Sequence, residues 1–261
     1  MAELVTTEDI AKQIHTAKKK FNAYMPISAG IESTATLLFA ARDPDIVPFC
    51  CHWYEDRYGP FADAMAFYSR KQAEHFDMAF GNDKSMLSAI GYTREVPIII
   101  SGLSAFMSVC IGAPGGHHIK WFMMGANAED DMRMRLQFRE YRKIMANFMS
   151  DCLDSSGVSV EAMMEIPEIR NPLDFLSKAE MISFIMRHDP KLYKLIWTCP
   201  YPKDVLKVDG KVTGYVPCGE CNKCLELKAA EKTAMDAKFR FQEGIKYFGN
   251  LKKNRHHDNN T

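Results

Sequence analysis

Four cysteines constrain this chain more than any other feature: Cys218, Cys221 and Cys224 stand at C-x2-C-x2-C spacing, and Cys199 lies nineteen positions before the first of them. Four thiolates can close one tetrahedral site. Zinc accepts four sulfurs with neither redox chemistry nor an open position, so the set reads first as a structural clamp. The knuckle Pro217-Cys218-Gly219-Glu220-Cys221-Asn222-Lys223-Cys224 contains a glycine that lets the backbone turn tightly enough for successive sulfurs to face one ion. An iron–sulfur cluster is the rival, although its C-x2-C-x2-C runs usually add a further close cysteine, and unligated thiols are the remaining alternative.

A chain of 261 residues with 47% hydrophobic content can bury a large core, as one generous domain or one domain with a small appendage. Its 33 basic residues balance 33 acidic ones, so no global field draws it to nucleic acid or to an anionic membrane. Nucleic acid is therefore not expected as a partner. Eight cysteines in a long chain whose N-terminus lacks the apolar core of a signal peptide fit a reducing, cytoplasmic setting. The longest uncharged stretch, Val96 to Lys120, carries serines, glycines and a proline, which makes it a poor membrane span.

Along the chain, Thr6 to Lys20 has a capping threonine, early acids and late lysines, the charge order a helix dipole favours. Phe21 to Ile27 reads as a strand running into the tight loop Ser28-Ala29-Gly30-Ile31-Glu32-Ser33-Thr34, with an alanine-rich helix from Thr36 to Arg42. Apolar runs at Ile46 to Cys51, Val96 to Ile100 and Trp121 to Met124 are each followed by segments that suit helices. Together these read as βα units, that is, an α/β fold with a parallel sheet covered by helices. The polar end of the chain, residues 251–261, has nothing to bury and is expected to be a disordered tail.

The loop places backbone N–H groups and hydroxyls at the positive end of a helix dipole, an arrangement that binds phosphate. Asn127 and Asp130 follow an apolar run, at the carboxyl end of a predicted strand, where open α/β sheets bind ligands; a plain helix cap is the simpler reading. Lys178 and Glu180 read by themselves as exposed residues at a helix start, and the arginines from Arg133 to Arg142 as a solvated face. Seventeen methionines are expected to fill the core. His117 and His118 read as incidental loop residues.

The order of several motifs resembles that of the 7-cyano-7-deazaguanine synthases, in the PP-loop ATP pyrophosphatase superfamily. Ser28-Ala29-Gly30-Ile31-Glu32-Ser33 is similar to the family's Ser-Gly-Gly-x-Asp-Ser loop. Gly125-Ala126-Asn127-Ala128-Glu129-Asp130, Arg135 with Phe138, Pro172-Leu173, Lys178-Ala179-Glu180 and Trp197-Thr198-Cys199 then follow in the family's order before the knuckle. The resemblance implies a Rossmann-like HUP domain over residues 1–190, a zinc-binding segment over residues 191–250 held by Cys199, Cys218, Cys221 and Cys224, and the tail. It implies ATP, Mg2+ and Zn2+ as cofactors, with a deazapurine carboxylate and ammonia as small-molecule substrates, and leaves a homodimer open. Residues Ser28 to Thr34, with Asn127 and Asp130, would bind the nucleotide. No catalytic base is implied.

The implied reaction converts 7-carboxy-7-deazaguanine to 7-cyano-7-deazaguanine. Two departures fall in the loop: Ala29 stands where the family has glycine, and Glu32 where it has aspartate. If position 29 needs positive φ, the methyl group costs about 1 kcal/mol or more. Two others lie elsewhere, since Ile100-Ser101-Gly102-Leu103-Ser104-Ala105 lacks the family's arginine and Glu55-Asp56-Arg57-Tyr58-Gly59 only faintly resembles its Asp-Tyr-Gly-Gln. These leave two alternatives open: a PP-loop enzyme adenylating another small carboxylate or a tRNA base, and a non-catalytic zinc-stabilised paralogue.

Overall fold

The computed structural model describes residues 21–53, 59–83, 119–128 and 168–236. The expected helix at Thr6 to Lys20, the strand at Val96 to Ile100, Asp130, Arg135, Phe138, the two histidines after Gly116 and the tail lie outside these residues.

Five strands form one sheet in the order β3-β2-β1-β4-β5, every neighbouring pair parallel. They are β1 (Ala23–Pro26), β2 (Pro48–Trp53), β3 (Ala79–Asp83), β4 (Trp121–Met123) and β5 (Glu168–Arg170). The helices are α1 (Ile31–Arg42), between β1 and β2, α2 (Pro60–His75), between β2 and β3, and, after β5, α3 (Lys178–His188) and the short α4 (Pro190–Tyr193). A separate hairpin, β6 (Asp204–Val208) and β7 (Lys211–Val216), precedes the last described helix, α5 (Asn222–Asp236). The fold is α/β, with a parallel sheet flanked by helices, and its strand order is that of a Rossmann-like sheet. Among the described residues no helix is long and apolar enough to cross a membrane.

Parallel strands are buried on both faces, and the side chains alternate accordingly. Ala23, Met25, Cys50, Phe80 and Met123 pack with Leu37 and Ala40 of α1 and Ala73 of α2. On the opposite face Tyr24 stacks on Phe122 at 5.6 Å and lies beside Phe49, all three buried. A second apolar cluster binds α1 to α3 and α4 through Ile31, Ala35, Leu38, Met181, Ile182, Ile185 and Leu192. Helix α1 is thus covered on two sides, which is why its buried residues, among them Ser33, Thr34 and Thr36, run around the helix rather than along one stripe. The methionine expectation is met at Met25, Met123 and Met181 in the core, whereas Met235 is exposed.

The loop after β1 is shorter than expected. Gly30 is the extended N-cap and the helix starts at Ile31, so Glu32, Ser33 and Thr34 form its first turn. Helix α3 begins at Lys178 with a capping box: Ser177 Oγ accepts from the Glu180 backbone N–H while the Glu180 carboxylate accepts from that of Ser177. Glu180 is therefore occupied as a cap.

His52 in β2 is buried, its Nδ1 2.9 Å from the Ile27 carbonyl, with Ser69 of α2 beside it. Burial lowers its pKa from 6.5 to about 4, outweighing the opposing pull of the Ile27 carbonyl. The folded state then refuses a proton that the unfolded chain accepts, so the contribution is complete above pH 6.5 and is lost as pH falls toward 4. The loss over that window is about 3 kcal/mol. Urea unfolding at pH 7.5 and pH 5 should show wild type losing about 2 kcal/mol more than His52→Asn; equal losses would contradict this placement.

Candidate functional site

The carboxyl ends of β1 and β4 meet where the strand order reverses, the position at which open α/β sheets leave a crevice. The chain leaving β1 places Ser28, Ala29 and Gly30 at the N-terminus of α1, whose first turn has no side-chain cap. Ser33 ties this turn together: its Oγ accepts from the Ser28 N–H at 3.2 Å, lies 3.3 Å from Ser28 Oγ, and donates to the Gly30 carbonyl. Thr34 Oγ1 donates to the same carbonyl at 2.7 Å.

Ala29 has φ of +59°, the left-handed conformation that the sequence comparison with glycine-bearing loops made a condition of strain. It is fully buried, and its carbonyl accepts the Trp197 backbone N–H at 2.8 Å. Its methyl group packs in one cluster with Trp197, Cys199, Tyr215 and Cys224.

The segment after β4 approaches from the other side. A Cβ on Gly125 would lie 2.6 Å from the Glu32 carbonyl carbon and 2.7 Å from the Ser33 nitrogen, so only glycine allows this backbone contact. Asn127, fully buried, donates through Nδ2 to Glu32 Oε1 at 2.9 Å. Lys178 Nζ stands 3.8 Å from the same oxygen and 3.6 Å from Glu226 of α5. Of the residues singled out from sequence, Ser28 to Thr34 and Asn127 come together here, and Lys178 joins them. Ile31 faces away, into the apolar cluster with α3.

The four cysteines also converge. Their sulfurs all lie within 4.8 Å of one another, with Cys199 to Cys218 at 3.5 Å and Cys218 to Cys224 at 3.9 Å. A tetrahedral ion with metal–sulfur bonds of about 2.3 Å requires sulfurs about 3.8 Å apart, so the set fits a single metal ion. Gly219 supplies the turn with φ of +81°. The Cys218 N–H points at the Cys199 sulfur and the Cys224 N–H at that of Cys221. Backbone N–H groups of Glu220 and Cys221 lower the Cys218 pKa to about 6. Burial, aided by the neighbouring thiols, pushes Cys224 up to about 12, and burial also raises Cys199. Thiols crowded in this way resist joint deprotonation until a cation supplies the compensating charge.

Sequence reasoning missed two residues that join the two centres. Gln72 of α2, fully buried, donates through Nε2 to Thr34 Oγ1 at 2.8 Å and to the Leu195 carbonyl at 2.9 Å. Tyr68 stacks on Trp197 at 5.0 Å and exchanges two hydrogen bonds with the backbone of Tyr215. A polar residue inside a helix carries no local signal for such long-range roles. The hairpin that links Cys199 to the knuckle did carry one, Asp209-Gly210 between alternating strands, and both residues have positive φ.

No protein-family model and no curated protein matches this chain.

Two substitutions probe the site. Gly125→Ala should cost about 1–3 kcal/mol by forcing β4 and the loop apart, read as a lowered unfolding midpoint; an unchanged midpoint would contradict the contact. Cys221→Ser should lower bound metal well below one per chain and reduce thermal stability, whereas full metal content with unchanged stability would mean that the four sulfurs do not share an ion.

Proposed function

We propose that this chain is an ATP-dependent ligase of the 7-cyano-7-deazaguanine synthase type, with zinc as the ion of the four cysteines. The observation that carries the reading is the meeting of the Ser28–Ser33 turn with Gly125 and Asn127 at the point where the strand order reverses. The motif order of the sequence adds the substrate class.

A carboxylate is a poor electrophile, because its charge is delocalised and oxide is a very poor leaving group. Transfer of AMP from ATP to the carboxylate releases pyrophosphate and creates an acyl-adenylate. Ammonia displaces AMP to form the amide. A second ATP adenylates the amide oxygen, and loss of AMP with the remaining N–H protons leaves the nitrile.

The chain's own residues act on the departing pyrophosphate. The uncapped N–H groups at the start of α1 and the exposed Ser28 hydroxyl are donors positioned before charge develops, which is electrostatic stabilisation rather than acid–base work, while Ser33 and Thr34, whose hydroxyls donate to the Gly30 carbonyl, hold the turn that carries them. Glu32, the carboxylate seen at this loop among the described residues, is engaged by Asn127 and Lys178. Magnesium, which neutralises triphosphate charge, would on this reading arrive with the nucleotide rather than in a protein cage. The cysteine site, with four protein ligands, has no open position for catalysis and serves structure.

The test is mass spectrometry of the products from 7-carboxy-7-deazaguanine, ammonium, ATP and magnesium, with pyrophosphate measured in parallel. We expect the nitrile with AMP and pyrophosphate, and a rate lower by about a hundredfold in Ser33→Ala with the fold intact. Pyrophosphate release only with a different carboxylate or with tRNA would move the assignment to that acceptor. No pyrophosphate with any of them would leave a zinc-stabilised protein without this activity, and full activity in Ser33→Ala would remove the loop from the mechanism.

A further inference from the structure

The metal-bearing segment and the loop are not merely neighbours. The carbonyl of Ala29, a residue with left-handed φ, is the acceptor for the N–H of Trp197, two residues before Cys199. The Ala29 methyl lies in the apolar cluster that contains Cys199 and Cys224. Gln72 spans the same joint from α2, reaching Thr34 on the loop side and the Leu195 carbonyl on the metal side, with the Ala29 carbonyl 3.4 Å away.

Unfavourable features collect at this joint. Ala29 is strained, and two buried polar atoms there, Gln72 Oε1 and Trp197 Nε1, have no hydrogen-bond partner among the described residues. Such costs persist where the surrounding structure over-determines them, and they concentrate where geometry serves a function. A turn that disfavours its own conformation must be held from outside. The partners that hold this one come from α2 and from the segment leading to the cysteines.

We infer that the metal knuckle is a positioning element for the phosphate-type loop: metal bound by the four cysteines fixes Trp197, Trp197 and Gln72 fix the Ala29 turn, and the turn sets the donors of Ser28 to Thr34. Gln72 is the positioning residue of this relay. The inference deepens the proposed function, on which its ligand arm rests, by making anion binding at the loop depend on metal held by a segment far along the chain.

The experiment uses the full chain, metal-loaded and chelated, with hydrogen exchange of the 28–34 peptide and of β2 followed by mass spectrometry and the affinity for inorganic pyrophosphate measured by calorimetry. Chelation should accelerate exchange at 28–34 while β2 stays protected, and weaken pyrophosphate about tenfold. Gln72→Met should do the same with metal still at one per chain, which a purely structural role of the knuckle does not produce. Metal loss with unchanged loop exchange overturns the inference. If chelation also exposes β2, the chain has unfolded and Gln72→Met decides: faster loop exchange at full metal content supports the relay, and wild-type exchange overturns it. Absence of pyrophosphate binding in loaded wild type would count against the proposed function, while the exchange arms still decide the relay.

Discussion

The hydrogen bond from the Trp197 N–H to the Ala29 carbonyl joins the part of the molecule built by the parallel sheet to the part built by the cysteines. It forms at a residue with positive φ, whose carbonyl also lies 3.4 Å from Thr34 Oγ1 and 3.4 Å from Gln72 Nε2. An alanine in that conformation costs about 1–2 kcal/mol relative to the ordinary region. Burying its methyl group against Trp197 and the cysteine sulfurs returns about 0.8 kcal/mol. The two are close enough that alanine is nearly as good as the glycine expected of such loops. The departure therefore leaves the turn intact and packs it against the cysteine-bearing segment.

Glu32 illustrates a different balance. A carboxylate in the first turn of α1 is favoured by the helix dipole, yet it opposes an incoming phosphate. Asn127 and Lys178 both address its Oε1, and Lys178 also reaches Glu226, which pairs with Lys223 inside the knuckle. Ion pairs this exposed contribute about 0–1 kcal/mol. Their effect is to offset the charge of Glu32 from the side of β4 and α3. The longer side chain of glutamate, relative to aspartate, is what permits that reach.

Much of the fold was legible because its signals are local. The apolar run, small-residue loop and alanine-rich helix from Phe21 to Arg42 specify a βα unit without reference to anything distant, and cysteine spacing specifies a shared site because only one geometry joins four sulfurs to one ion. Strand β3 was not legible: Ala-Phe-Gly-Asn-Asp has little strand propensity, and it pairs because β2 offers a ladder. Gln72, Tyr68 and His52 were invisible for the same reason, since each gains its role from a partner far along the chain, as Gln72 does from Leu195. Glu180 shows the reverse case, where Ser177-Lys178-Ala179-Glu180 announces a capping box that could have been read directly.

The distance between Cys199 and the knuckle raises a question of entropy that the hairpin answers. Bringing the ends of so long a segment together disfavours the site before any metal arrives, and the cost grows with the flexible length. Strands β6 and β7 remove most of that length by pairing antiparallel, and the Lys203 N–H to Val216 carbonyl bond at 2.7 Å closes their open end. What remains free is a few residues on either side, which places Cys199 and Cys218 at 3.5 Å. Val205, Val212 and Tyr215 from this hairpin pack on Phe67 and Tyr68 of α2, the helix that also presents Gln72 to the loop. A single helix thus contacts both the hairpin that brings the four cysteines together and, through Gln72, the turn at Ala29.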